Sequence, residues 1–369
     1  MARAGGSEIA LHQFVEALAS RDAVGSHVLQ CERLLRDLGV ESKIYTRTVH
    51  PELTGRGFNH EDFRPGKTPT ALLYHTAIGG PVADYVCARP EPRIIHHHNI
   101  TPADMFRVWD PNLAGFLDLG RSQLAALTPD AILGLGDSRF NAGELEQLGA
   151  RRTAVTPILL DLEDILHEPD EAVLDQLTAA RRGGSSWLFV GRLSPNKAQH
   201  DIITAFAFYR RTVDPVATLR LVGVSSSVAY EQALVRLISD LDLQDAVTLA
   251  GSVPPGTLAA EYRAADALVV LSDHEGFCVP VLEAWHHGLP IVAYAATAVT
   301  ETVGSAGVLL ANKSPAVVAA AVATVLEDAD LRSRLVTTGR LRLGEFSLKE
   351  SRRAFTDAVM PVLDELASR

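Results

Sequence analysis

WLFVGRLSPNKAQHDIITAF, residues 187–206, decides the architecture. Trp187–Val190 is a short unbroken apolar run and Gly191 ends it. Beyond a polar turn, Ile202, Ile203 and Phe206 recur at helical spacing. An apolar run of strand length followed by an amphipathic helix reads as one strand–turn–helix unit of a parallel sheet. Ser194 or Asn196 is placed to cap that helix. Working outward, the same unit repeats. Strands are expected near Trp187–Gly191, Thr218–Gly223, Val247–Ala250, Ala267–Leu271, Ile291–Tyr294 and Val308–Leu310. An earlier series falls near Leu11–Leu18, Lys43–Thr46, Ala71–Tyr74, Arg93–His98, Ala131–Gly134 and Thr153–Pro157. Helices are read at Gly25–Leu38, Pro315–Leu326 and Leu348–Leu366. Ile165–Ser186, with Arg181, Arg182, Gly183 and Gly184, reads as a linker holding one short helix. The expected class is α/β: two doubly wound Rossmann-like domains, 1–165 and 166–349, with a helix near 350–369 packing back on the first. Open parallel sheets bind ligands at the carboxyl ends of their strands, so function is sought in the strand-to-helix loops and in a cleft between the domains.

Composition limits the function classes. The 369 residues are 47% apolar and 21% charged, which is globular composition. Lys and Arg total 34 against 45 Asp and Glu, a net charge of −11. A chain this acidic is poorly suited to nucleic acid, and no Lys/Arg run would seat it on an anionic membrane. Cys31, Cys87 and Cys278 are odd in number and widely spaced, which implies neither a disulfide framework nor a zinc cluster. The start MARAGGSEIALHQF lacks the apolar core of a signal peptide, and no run is long enough to span a bilayer. A cytoplasmic protein is expected.

Two loops carry chemistry. In the first, Arg192 and Lys197 flank a turn at a helix start, where fixed cations and exposed N–H groups receive a diphosphate well. In the second, SDHEGFCVPVLEAWHHG at 272–288, Pro280 suits the first helical turn and Gly288 its end. Glu275 lies in the turn and Glu283 in the helix. A carboxylate accepts two hydroxyl hydrogen bonds at once, which fits the diols of a sugar or a ribose. The amides of Gly276, Phe277 and Cys278 point outward from such a helix start.

These loops resemble the retaining glycosyltransferases of GT-B fold, family four (glycosyl transferases group 1). Gly191-Arg192-Leu193 and Lys197 match that family's G-R-L-x-x-x-K. Glu275-Gly276-Phe277-Cys278-Val279-Pro280 and Glu283-Ala284 match its E-G-F-G-x-P-x-x-E-A, with Cys278 in place of a Gly. The resemblance implies donor diphosphate binding by Arg192 and Lys197, at the turn Gly191 makes. It gives Glu275 the donor-sugar hydroxyls, Glu283 the ribose, and the Gly276–Cys278 amides the sugar and phosphate. Base contacts are expected from backbone around Gly223–Val224 and Gly251–Val253. In the first half, Arg21-Asp22-Ala23-Val24-Gly25-Ser26 takes the place of the family's glycine-rich loop, so Gly25 and Ser26 would meet the diphosphate. DAVGSHV, YHTAIGGP and HNITP resemble a subgroup tied to cell-surface polysaccharide synthesis. By the same resemblance His98 touches the donor sugar near the reacting carbon. His75, Asn99, Ser138 and Arg139 are cleft or acceptor candidates, with Ser138 capping its helix.

His96, His97 and His98 invite a metal reading. Strand alternation puts His96 and His98 on one face and His97 on the other, and no separate carboxylate cluster completes a site. No metal or other cofactor is expected. Gly134-Leu135-Gly136 lacks the third glycine of a dinucleotide fingerprint and is discounted. The resemblance implies a retaining transfer from GDP-mannose, UDP-glucose or another UDP-hexose to a hydroxyl of a saccharide or lipid-linked glycan. Peripheral contact with the inner membrane face would suit the latter. A nucleotide-sugar-binding protein without transfer activity is the alternative that the missing double glycine favours. A GT-B epimerase is disfavoured by the Glu275/Glu283 pattern, and a nicotinamide oxidoreductase by the lack of a full G-x-G-x-x-G.

Overall fold

Two separate parallel sheets carry the chain in a computed structural model, which describes residues 9–19, 22–161, 167–181 and 183–368. The expected boundary at 165/166, Arg21 and Arg182 lie outside the described residues. The first sheet comprises β1 (Ala10–Leu18), β2 (Ile44–Val49), β3 (Phe58–Asn59), β4 (Thr70–Thr76), β5 (Arg93–His97), β6 (Leu133–Gly136) and β7 (Thr153–Val155), in the order β3-β2-β1-β4-β5-β6-β7. The second comprises β8 (Ser186–Val190), β9 (Thr218–Val222), β10 (Val247–Gly251), β11 (Ala267–Val270), β12 (Ile291–Tyr294) and β13 (Val308–Leu310), in the order β10-β9-β8-β11-β12-β13. Packing gathers the chain into one unit drawn from Met1–Asp104, Asn112–Leu160 and Ser347–Arg369, and another drawn from Met105–Pro111 and Asp161–Phe346.

The order of the strands places the loops. In each sheet the chain starts at an inner strand, builds to one side, then returns and builds to the other. Such a reversal leaves a crevice at the carboxyl ends of the two strands that flank it. Those strands are β1 and β4 in the first sheet, β8 and β11 in the second. The Arg192 loop follows β8 and the Glu275 loop follows β11, so the two motifs are neighbours because their strands pair.

Burial supplies the scaffold. The second core gathers Trp187 and Phe189 of β8 with Ile202, Ile203 and Phe206, all essentially buried. The first gathers Leu11, Leu73, Ile94 and Leu135 with Phe355, Val359 and Leu363 of helix Leu348–Ala367. Several elements differ from the sequence reading, two of them with a clear cause. β6 starts at Leu133 rather than Ala131, because a tight turn over Thr128–Asp130 ends with the Ala131 N–H donating to the Thr128 carbonyl (3.1 Å). Helix Ala329–Leu343 went unread, since only Leu335 and Gly339 of it are buried and its apolar stripe is thin.

Candidate active site

The Arg192 and Glu275 loops are stitched together by Asn196. Its carbonyl accepts from the Asp273 N–H (2.8 Å), its Nδ2 donates to the His274 carbonyl (3.0 Å), and its Oδ1 accepts from the Ser194 hydroxyl (2.8 Å). This corrects the capping expectation. Helix Gln199–Thr212 starts from Ala198 in a left-handed conformation (φ 51°) with no side-chain cap; of the residues expected to cap it, Asn196 binds the neighbouring loop and Ser194 donates to Asn196.

The charged groups divide into bound and free. Arg192 is exposed and enters no ion pair among the described residues. Lys197 donates to Glu275, whose other oxygen accepts from the Ser272 hydroxyl (2.8 Å) and whose N–H donates to Thr297 Oγ1 (2.9 Å). Glu275 is therefore fixed from three sides, one of them Lys197. Lys313, which sequence reasoning missed, bridges Asp201 and Asp273 at 2.6 Å each. Burial alone would lower its basicity, but the two carboxylates hold it above the usual lysine range. It clamps the base of the Glu275 loop.

Glu283 is held from the side. The buried Tyr262 hydroxyl donates to one of its oxygens (2.5 Å), which leaves the other to a ligand. Burial raises the Glu283 carboxyl above its ordinary range, and the tyrosine bond offsets part of that. Tyr262→Phe removes one hydrogen bond of about 1 kcal/mol from the carboxylate's support. Nucleotide affinity is expected to fall about fivefold, read by calorimetry, with the unfolding midpoint little changed.

Cys278 caps helix Val279–His286 in a left-handed conformation, φ 78°. A side chain there costs on the order of 1 kcal/mol that glycine does not. Cys278→Gly is expected to raise stability by up to about that amount in urea unfolding and to retain activity. Burial first, then the neighbouring Glu275 carboxylate, push the Cys278 thiol well above the usual cysteine range. Among the described residues none accepts from the amides of Gly276, Phe277 or Cys278. Beside the Arg192 loop, at the ends of β9 and β10, a cavity of about 380 Å³ is lined by Gly223, Val224, Ser225–Ser227, Gly251 and Ser252. These include residues where base contacts were expected. Gly223 is obligatory, since a Cβ there would lie 2.0 Å from the Gly191 carbonyl oxygen.

The first unit departs further from expectation. The Gly25 N–H donates to the Asp22 carboxylate (3.2 Å) and the Ser26 N–H to the Asp22 carbonyl (2.9 Å). Asp22 thus occupies the amides expected to meet a diphosphate. Gly25 is required for packing instead, because a Cβ would strike the Ala19 oxygen at 2.0 Å. Ser138 caps helix Arg139–Gln147 through the Asn141 N–H (3.3 Å), Arg139 is exposed, and Asn99 is left-handed at φ 76°.

His75 and His98 are buried, and neither ring has a free nitrogen. His75 Nδ1 lies 3.0 Å from His98 Nε2, and His98 Nδ1 lies 2.9 Å from Asp137 Oδ2. His27 Nε2 lies 3.1 Å from His96 Nδ1, and His96 Nε2 lies 3.0 Å from Asp137 Oδ1. His97 points the other way, to Glu144 (2.9 Å), as alternation requires. Burial first, then neighbouring imidazoles, hold His27, His75 and His96 well below the usual histidine range. The sequence reading gives His27 and Asp137 no role of their own, because only the fold joins residues so far apart in the chain.

A cation loop and a carboxylate loop at the switch point of a parallel sheet, beside a cavity of nucleoside size, suit one kind of ligand. The class that fold and site define is a nucleotide-sugar glycosyltransferase. Residues 179–342 match the family model described as Glycosyl transferases group 1. A D-inositol 3-phosphate glycosyltransferase of Frankia alni is 33% identical over 358 residues, 84% of this chain and 87% of that one. One of Geodermatophilus obscurus is 31% identical, over 68% of this chain and 56% of that one. The chain belongs to the group 1 glycosyltransferases. Its fold is shared by the sucrose-phosphate synthase of Thermosynechococcus elongatus (TM-score 0.75, 17% identity, 96% of this chain and 100% of that one). The Anabaena protein HepE, solved with UDP and glucose, is also similar (TM-score 0.74, 17% identity, 95% and 100%). No described helix is long and apolar enough to cross a membrane.

Proposed function

We propose that the protein transfers a hexose from a UDP- or GDP-sugar to an acceptor hydroxyl with retention at the anomeric carbon. The observation that carries this is the Asn196-stitched pair of loops, which sets Arg192 and Lys197 beside Glu275 at the ends of paired strands. The hard step is rupture of the anomeric C–O bond, which leaves extra negative charge on the diphosphate. Arg192 stabilises that charge, together with the unengaged amides at the start of helix Val279–His286. Lys197 turns from Glu275 to the diphosphate as the donor enters, and Glu275, still held by Ser272, accepts the sugar hydroxyls. Glu283 takes the ribose and the Gly223–Ser252 cavity the base. No protein nucleophile is needed: the departing phosphate oxygen takes the acceptor proton on the face it leaves. Arginine, lysine and amides supply the charge stabilisation, so the reaction needs no metal.

The acceptor role falls to first-unit loops that carry Asn99, Ser138 and Arg139. D-Inositol 3-phosphate, named in the relatives, is the first acceptor to try, beside simple saccharides and lipid-linked glycans at a membrane surface. The test is a thermal-shift panel of UDP, GDP and their sugars, followed by transfer assays with and without EDTA. A true donor at a hundred times its Kd adds about 2.7 kcal/mol of apparent stability. An axial-to-axial or equatorial-to-equatorial outcome in the product's anomeric NMR coupling, unaffected by EDTA, supports the reading. No stabilisation by any nucleotide, or an inverted product, overturns it.

A further inference from the structure

Four buried imidazoles, His27, His75, His96 and His98, bring one nitrogen each within 4.8 Å of one another. That geometry invites a metal ion, yet the outer hydrogen bonds decide otherwise. A neutral imidazole carries a single proton, and a ring that ligates a metal through one nitrogen donates from the other. The Leu159 main-chain N–H donates to His27 Nδ1 at 2.9 Å. The His27 proton therefore sits on Nε2, the nitrogen facing the cluster, where it is given to His96 Nδ1. His96 then donates from Nε2 to Asp137.

The second chain starts from Gln13. Its carboxamide satisfies its surroundings when the oxygen accepts from the Glu32 N–H (3.1 Å) and the nitrogen donates to the Val28 carbonyl (3.2 Å) and to His75 Nε2 (3.0 Å). The His75 proton is therefore on Nδ1 and is given to His98 Nε2. His98 donates from Nδ1 to Asp137. Both chains begin at a fixed donor, run in one direction, and end on the one group that only accepts. His27 and His75 turn protonated nitrogens inward, so the cluster holds no metal.

We propose that His27, His75, His96, His98 and Asp137 are positioning residues of the first unit, acting through the loops that their hydrogen-bond chains tie together. The chains tie four carboxyl-end segments of the first sheet. These are the helix start at Gly25–Ser26, the turn Thr76–Gly80 after β4, Asn99–Pro102 after β5, and Ser138–Arg139 after β6. A hydrogen-bond chain with one allowed direction fixes ring orientation, and through it the loops. This rests on the transferase reading for its functional consequence, though not for its structure.

The test uses the full chain labelled with ¹⁵N-histidine. Long-range ¹H–¹⁵N correlations at pH 7.5 are expected to show His27 and His96 protonated at Nε2, and His75 and His98 at Nδ1, all neutral. Any of the four in the opposite tautomer, or charged, overturns the assignment. Calorimetric titration with ZnCl₂ is expected to be the same for the native protein and His96→Gln; a micromolar or tighter site lost in that variant overturns it in favour of a metal centre. His75→Leu, which breaks one chain, is expected to slow transfer at least tenfold. His75→Gln, which can still accept from Gln13 and donate to His98, is expected to stay within threefold of native. A His75→Leu protein with near-native turnover sinks the positioning role. Should the native protein transfer no sugar, the glycosyltransferase reading fails while the NMR and zinc arms still report on the chains.

Discussion

Replacing Arg192 by alanine is expected to slow sugar transfer about 100- to 1000-fold while leaving the unfolding midpoint where it was. A preorganised donor aimed at developing charge in a water-poor site contributes on the order of 3–4 kcal/mol to the transition state. Arg192 is exposed and enters no ion pair among the described residues, so its loss disturbs no packing and orphans no partner. Lys197→Ala differs in kind. It removes a cation from the diphosphate and also strips Glu275, which is 5% exposed, of its counter-charge. Its rate loss should come with a lower unfolding midpoint, whereas that of Arg192→Ala should not. Steady-state kinetics beside thermal unfolding of both variants separate the two effects. An Arg192→Ala enzyme within tenfold of native turnover would remove the guanidinium from the mechanism.

Acidification should unfold the first unit steeply. His27, His75 and His96 titrate below the ordinary histidine value of 6.5 when folded, chiefly because burial penalises their charged forms. As pH falls through 6.5 the unfolded chain therefore takes up protons that the folded chain refuses. Stability is fully present above that pH and is lost below it. Each ring contributes a slope of about 1.4 kcal/mol per pH unit, so three together approach about 4 kcal/mol per unit. Against a total of about 5–15 kcal/mol, a slope of that sign is a large fraction of the stability. The groups packed around the rings include the Asp137 carboxylate, the Gln13 carboxamide and the Cys31 thiol. Urea unfolding at pH 7.5, 6.5 and 5.5 reads the slope; equal stability at all three would show that the rings titrate in the folded protein as they do in the unfolded chain.

Much of the fold was legible because parallel strands covered on both faces are written as unbroken apolar runs. Trp187–Val190 and Ile291–Tyr294 need no other information. The two-residue β3 has no such run, since both Phe58 and Asn59 are exposed. In the site, Arg192, Lys197, Glu275 and Glu283 were visible as spacing within continuous loops. Their supports were not. Asn196 reaches His274, Tyr262 reaches Glu283 and Lys313 reaches Asp201, each across a sequence gap that only strand order closes. The histidines show the same limit more sharply. Alternation separates His97 from His96 and His98, but proton direction is set by Leu159 and Gln13, which no local pattern connects to either.

The helix Leu348–Ala367 completes the first unit's core, with Phe355, Val359 and Leu363 packed against strands formed from residues 10–136. During synthesis those strands must wait with an uncovered apolar face while the whole second unit is made. The N-terminal half expressed alone should accordingly aggregate, and a separately supplied peptide spanning 347–368 should rescue its solubility.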